Sequence, residues 1–339
     1  MENLGGTCAL VAKDFESDQA IKWCPGCGDY VIIKAVQKAL ADLGLSKEET
    51  VFVAGIGCSS RFPYYMDTYG FHTIHGRGAA VATGVKIANP KLSVWLASGD
   101  GDSMAIGGNH FIHSIRRNVD MNVILFNNEI YGLTKGQYSP TSKRGIVTKS
   151  SPHGTIEDPF SPGELALGSG SNFFARVPDS NIKLLTEVFV ASEKHRGLSL
   201  VEVLQNCVIF NDKVHEHITS KETRDDNQLI LQHGEAMIFG KEKNKGLVLD
   251  GLSLKVVTIG ENGVSESDIL VHDATTENKT LHIMLASMKG PDFPIAMGVI
   301  RNVAAPTYDN SLHEQIKSQA GKFSSLDEMF MSGNVFEVK

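Results

Sequence analysis

Cys24-Pro25-Gly26-Cys27 sets two thiols around a Pro-Gly turn, and two more, Cys58 and Cys207, each lie just past an apolar run of strand length. Thiols in a turn pack poorly, so a Cys-x-x-Cys loop points to metal or redox chemistry. A tetrathiolate is what tetrahedral zinc or a [4Fe-4S] cluster needs. Zinc sites usually draw on two close Cys-x-x-Cys pairs, whereas here the second pair is two distant single residues. That tilts toward a cluster, although spacing alone leaves both open. The fifth cysteine, Cys8, has no such company and is expected to be a small buried hydrophobe.

A second group of residues points to phosphate and a hard cation. Gly99-Asp100-Gly101-Asp102 follows the apolar run 92–97, Asn127-Asn128 follows 121–126, and 25 residues lie between Gly101 and Asn127. That length is one strand–helix–strand unit, which brings both turns to the same end of a sheet. Glycine lets a backbone approach a phosphate, and Asp and Asn oxygens are hard ligands suited to Mg²⁺. Gly-Asp-Gly alone is a common turn; the Asn-Asn after the next strand makes a metal diphosphate site the expectation. The chain has no Gly-x-x-x-x-Gly-Lys-Ser/Thr loop and no Gly-x-Gly-x-x-Gly between strand and helix, so ATPase and nicotinamide chemistry lose their usual warrant.

These residues need a scaffold that gathers strand ends. Periodicity predicts helices over 30–43 (closed by Gly44), 79–88 (stopped by Asn89-Pro90), 108–117 and 182–195. Strands are predicted at 51–54, 71–74, 92–97, 121–126, 172–177 and 199–204, with a long polar connection over 127–171. The alternation implies an α/β fold: a mostly parallel sheet with helices on both faces and ligands at the carboxyl ends of its strands. After Asp226 the texture changes to short strand-like runs at 236–239, 246–249 and 254–259, a smaller β-rich extension. The expected division is 1–225 and 226–339, with a polar tail over 302–339 in which no chemistry is legible.

Composition bounds the function. The chain has 339 residues, 42% hydrophobic and 21% charged, enough for about two domains of roughly 100–200 residues, which excludes disorder and a disulfide miniprotein. A net charge of −7, with no basic cluster longer than Lys143-Arg144, argues against nucleic acid or an anionic membrane as partner. No stretch approaches the roughly 18 apolar residues of a membrane span, and 1–16 lacks the order of a signal peptide, so a cytoplasmic location is expected.

The Gly-Asp-Gly to Asn-Asn pattern resembles the thiamine diphosphate motif. With Trp23-Cys24-Pro25-Gly26-Cys27-Gly28, Gly57-Cys58-Ser59-Ser60-Arg61, His75-Gly76-Arg77 and Tyr131-Gly132-Leu133-Thr134, the chain is similar to β subunits of 2-oxoacid:ferredoxin oxidoreductases, over about 18–213. Pro140-Thr141-Ser142-Lys143 and Gly154-Thr155 look more like the 2-oxoglutarate members than the pyruvate ones.

The resemblance implies a thiamine diphosphate-binding fold in which Asp100, Asn128 and the Ile130 carbonyl hold Mg²⁺, and Cys24, Cys27, Cys58 and Cys207 ligate one [4Fe-4S] cluster. It also implies that Gly57, Cys58, Ser59, His75, Gly99, Asp100, Gly101, Asp102, Asn128, Ile130, Gly132, Leu133 and Thr134 line the coenzyme, while Arg61 meets the substrate carboxylate and His75 lies close to the thiamine. Cys8 has no counterpart in the pattern. Arg61 otherwise reads as a solvated charge, and His75 as a satisfied turn histidine. The implied activity is oxidative decarboxylation of 2-oxoglutarate with coenzyme A to succinyl-CoA, with electrons passing to ferredoxin. The family's pyrimidine-binding domain has no match here, so the resemblance implies an α subunit and an (αβ)₂ assembly. A pyruvate or broad 2-oxoacid specificity, and more distantly a non-catalytic zinc module, are the alternatives.

Overall fold

The computed structural model describes residues 10–336 and 338; Cys8 lies outside the described residues. Eleven strands occur among them: β1 (Thr50–Ala54), β2 (Tyr69–His72), β3 (Ser93–Gly99), β4 (Met121–Asn127), β5 (Phe173–Pro178), β6 (Leu198–Leu204), β7 (Gln228–Ile230), β8 (Ile238–Phe239), β9 (Lys245–Asp250), β10 (Ser253–Thr258) and β11 (Ile295–Asn302). Eight form one sheet in the order β2-β1-β3-β4-β6-β5-β11-β7; β10-β9-β8 form a small antiparallel sheet. The expected α/β architecture holds. All neighbours from β2 to β5 pair in parallel, and only β11 runs antiparallel to β5.

Strand residues alternate between two apolar layers because successive side chains point to opposite faces. Phe52, Trp95, Ile124, Phe126 and Val203 pack beneath the helices Asp29–Leu43 and Ile182–Lys194. Ile32, Ile33, Val36, Ala39 and Leu40 recur at helical spacing and are buried there, and Gly44, with φ 68, ends the first of these helices. On the opposite face Val51, Val53, Leu96, Val123 and Leu125 lie under the helices Gly78–Ala88, Gly108–Arg117, Pro162–Gly168 and Thr280–Ser287. Each fully buried Leu, Ile or Phe contributes roughly 1.5–3 kcal/mol, which fixes the strand ends on which the site depends.

Several expectations change. The polar connection over 127–171 contains the helix Pro162–Gly168, capped by Ser161, whose side chain accepts from Glu164 N–H; its Pro-Gly start hid it. Gly99-Asp100-Gly101-Asp102 opens a short helix, Asp100–Met104, rather than a plain turn. The strand expected at 71–74 is β2, shifted to Tyr69–His72, and all four of its residues are exposed at the sheet edge. Only 238–239 of the run 236–239 is strand. The chain beyond 226 supplies β7 and β11 to the main sheet as well as the small sheet, and the tail carries helices Tyr308–Gln319 and Leu326–Met331. No helix among the described residues is long and apolar enough to cross a membrane.

Candidate active site

The carboxyl ends of β1, β3, β4 and β6 open onto two adjoining cavities. The first, of about 150 Å³, is lined by all thirteen residues expected to meet the coenzyme, together with Asp29, Ile56, Tyr131 and Gln205. The second, of about 220 Å³, is lined by Cys24, Cys27, Cys58 and Cys207, with Arg61, Trp23 and Phe210. Cys58, Asn128, Gly132, Leu133 and Gln205 line both. Arg61 belongs to the thiol cavity and is absent from the wall of the first.

Asp100, at the end of β3, is buried, and its Oδ2 accepts bonds from Ser139 Oγ and Thr141 Oγ1, both at 2.5 Å. Burial nevertheless raises its carboxyl to about 6, against which those hydroxyls work. Asn128 makes an Asx turn: its Oδ1 accepts from Ile130 N–H at 3.1 Å, which places Glu129 at φ 55. For a non-glycine residue that conformation costs on the order of 1–2 kcal/mol, and it directs the backbone of 129–130 along the cavity. Gly101 is required by close approach, because a β-carbon there would stand 2.2 Å from a Tyr131 ring carbon. The Tyr131 hydroxyl donates to the Gly101 carbonyl at 3.1 Å.

Asp102 ties the loops together. Its Oδ1 accepts from Gly76 N–H (2.8 Å) and Ile56 N–H (3.1 Å) and lies 2.6 Å from His75 Nδ1, while Oδ2 accepts from Ser98 Oγ at 2.7 Å. A residue expected to touch the coenzyme thus has Oδ1 engaged in holding the loops after β1 and β2 and in orienting His75, while Oδ2 is held by Ser98 of β3.

The thiol cavity is built around aromatic rings. Trp23 packs edge-on against Tyr30 and Tyr65, and its Nε1 donates to the Cys58 carbonyl at 2.7 Å, joining the Cys-Pro-Gly-Cys loop to the turn after β1. A β-carbon added at Gly132 would lie 3.5 Å from Cys207 Sγ and 3.7 Å from Cys58 Sγ, so both thiols border the space beside a glycine that lines the two cavities. Burial, and next the Asp29 carboxylate, push the Cys58 thiol up to about 12, and the same causes push Cys27 up. Asp29, fully buried, is itself raised to about 7 by burial. Among the described residues no three His, Cys, Asp or Glu side chains stand close enough together to hold a metal ion.

Four contributors were missed from sequence. Ser139 and Thr141 brace Asp100 from about 40 residues away, and Asp29, at the start of a helix, looks like a solvated N-terminal charge. Gln205 carried one usable signal, its place directly after β6.

Residues 55–203 match the family model of the thiamine pyrophosphate enzyme C-terminal TPP binding domain. The chain is 47% identical over 305 residues to a 2-oxoglutarate oxidoreductase subunit (KorB) of Mycobacterium tuberculosis, covering 90% of this chain and 81% of that one. The chain belongs to the β subunits of the 2-oxoacid:ferredoxin oxidoreductases. A second such β subunit, from Aeropyrum pernix, is 50% identical over 190 residues, which is 56% of this chain and 60% of the relative. The fold agrees with a solved 2-oxoglutarate:ferredoxin oxidoreductase from Magnetococcus marinus, which carries 2-oxoglutarate, coenzyme A and succinyl-CoA. That match has a TM-score of 0.76 at 31% identity and covers 95% of each chain. As an oxidoreductase β subunit the chain has most of its expected site residues inside the matched segment; of the four expected thiols, Cys24 and Cys27 precede it and Cys207 follows it.

Proposed function

We propose that the chain is the β subunit of a 2-oxoglutarate:ferredoxin oxidoreductase, decarboxylating 2-oxoglutarate oxidatively with coenzyme A to succinyl-CoA and CO₂ and passing electrons through one [4Fe-4S] cluster to ferredoxin. The observation that carries it is the wall shared by a glycine-and-acid cavity and a four-thiol cavity.

The residues fit the groups. Asp100, the Asn128 side-chain oxygen and the Ile130 carbonyl would hold Mg²⁺: a buried carboxyl driven toward neutrality, with Oδ2 already taken by two hydroxyls, is a donor set short of positive charge. The four cysteines would hold the cluster. A single zinc, with bonds of about 2.3 Å, needs sulfurs within roughly 4 Å of one another; among the described residues no three such ligands stand that close, and four thiols lining one cavity suit the larger iron-sulfur unit. Bound thiamine diphosphate supplies an electron sink for decarboxylation, and the cluster takes electrons singly.

This chain's own part is to position. Gly99 and Gly101 let the diphosphate approach, and Asp102 fixes His75 through Nδ1, leaving Nε2 to meet a ligand. Arg61 offers a bidentate partner to a carboxylate from the edge of the thiol cavity. A first cavity of about 150 Å³ is half the ~300 Å³ at which ligand sites begin, and two exposed isoleucines lie near it, Ile74 directly before His75 and Ile106 beside Gly76. An α subunit with a pyrimidine-binding domain completes the site in an (αβ)₂ assembly, in the cytoplasm.

The test is anaerobic purification of the complex with iron, sulfide, magnesium and thiamine quantified. About four irons per β chain and turnover of 2-oxoglutarate are expected. A colourless chain with one zinc refutes the cluster, and turnover by the isolated chain with ferredoxin and coenzyme A refutes the need for α. A broader 2-oxoacid range draws support from the name of the Aeropyrum relative; kcat/KM for 2-oxoglutarate, pyruvate and a branched-chain 2-oxoacid separates the two.

A further inference from the structure

Gln205 directly follows β6, is 1% exposed, and has every polar atom of its amide engaged. Its Oε1 accepts from Asn128 Nδ2 at 2.7 Å, and its Nε2 donates to Cys27 Sγ at 3.2 Å and to the Asn206 carbonyl at 2.8 Å. Its own backbone N–H donates to the Asn127 carbonyl at 2.9 Å. Amide orientations are set by such networks. Ile130 N–H takes the Asn128 oxygen, so Asn128 presents its NH₂ to Gln205. Gln205 in turn has only an N–H to offer the sulfur.

We propose that Gln205 is a positioning residue linking the two cavities: its N–H group raises the reduction potential of the cluster at Cys27, and its oxygen holds Asn128 in the orientation that offers a side-chain oxygen to magnesium. This role rests on the cofactors proposed above. A donor on a ligating sulfur stabilises the reduced, more negative cluster, and hydrogen bonds to sulfur are among the factors that set such potentials. One amide serving both sites makes their occupancies interdependent, and such coupling is reciprocal.

The experiment uses the anaerobic complex with wild-type chain, Gln205→Leu and Gln205→Glu. Iron and sulfide are measured first. A wild-type complex without them refutes the cluster itself, whatever Gln205 does. With the cluster present, the potential is titrated by electron paramagnetic resonance, with and without Mg²⁺ and thiamine diphosphate, and the Mg²⁺ dissociation constant is measured.

Gln205→Leu is expected to make reduction about tenfold less favourable, about 59 mV for a one-electron couple, to weaken Mg²⁺ binding, and to abolish the wild-type shift on loading with Mg²⁺ and thiamine diphosphate. Gln205→Glu retains the volume and an oxygen for Asn128 but removes the donor, so it lowers the potential while keeping Mg²⁺ affinity. Wild-type potentials in both variants at full iron content overturn the proposal.

Discussion

Removing the Asp102 carboxylate tests whether it is the clamp of the site. Asp102→Ala strands two backbone donors, Gly76 N–H and Ile56 N–H, together with the Nδ1 contact of His75. The Ser98 hydroxyl still has Ser103 as partner and turns away. A buried donor left without an acceptor costs about 1–3 kcal/mol, so the two N–H groups alone give roughly 2–6 kcal/mol. Asp102→Asn can keep its oxygen toward the same donors and turn its NH₂ to Ser98, losing only charge assistance, about 1–2 kcal/mol. The assay is urea unfolding of the purified chain followed by circular dichroism, with amide exchange measured over 55–58 and 75–77. The expected order is wild type, Asn, Ala, with exchange accelerated in both segments in the Ala variant. If Ala costs no more than Asn, or both stay within about 0.5 kcal/mol of wild type, Asp102 is not the clamp.

Gly101→Ala drives a methyl into the Tyr131 ring and should weaken thiamine diphosphate binding in the complex at least tenfold, about 1.4 kcal/mol, read by titration calorimetry with the fold intact by circular dichroism. Arg176 and Glu202 form a buried pair at 2.7 Å; Arg176→Ala leaves the buried carboxylate without its cation, with the Asn127 amide still bonded to Oε1, and should cost about 3–5 kcal/mol, whereas Arg176→Met with Glu202→Gln should cost clearly less. Burial holds His215 down to about 4, below its unfolded value of about 6.5. The stability this neutral imidazole contributes is complete above about pH 6.5 and is lost as pH falls toward 4, because the unfolded chain takes up the proton first. Asp29 and Glu129, raised to about 7, act in the opposite sense, so the measure is the difference from His215→Gln. That difference in unfolding free energy should shrink by up to ~3 kcal/mol between about pH 7 and pH 4, and an unchanged difference refutes it.

What the sequence made legible was local. Gly99 to Asp102, Asn127-Asn128 and the four cysteines announce themselves because glycines, carboxylates and thiols at the ends of apolar runs have little use in packing, and the strands that place them are short and apolar on both faces. Illegible were the contacts that only the folded chain creates. Ser139 and Thr141 reach Asp100 across a polar stretch without periodicity, and Gln205 reads as one more loop amide until Asn128 and Cys27 close on it. Asp29 misleads because a carboxylate in a first helical turn is ordinarily solvated. The strand β11 lies far from its partner β5 in sequence, and no local signal tells of pairing over that distance.

That last pairing bears on how the chain is made. β5 sits between β6 and β11, and β11 leaves the ribosome roughly 120 residues later, an interval of about 6–25 s at about 5–20 residues per second. Throughout that time the nascent sheet ends in a bare, apolar border whose backbone groups can recruit another unfinished chain. Synthesis of this subunit therefore has a window of exposure to aggregation, and chaperones that shield strand borders would act on it before translation ends.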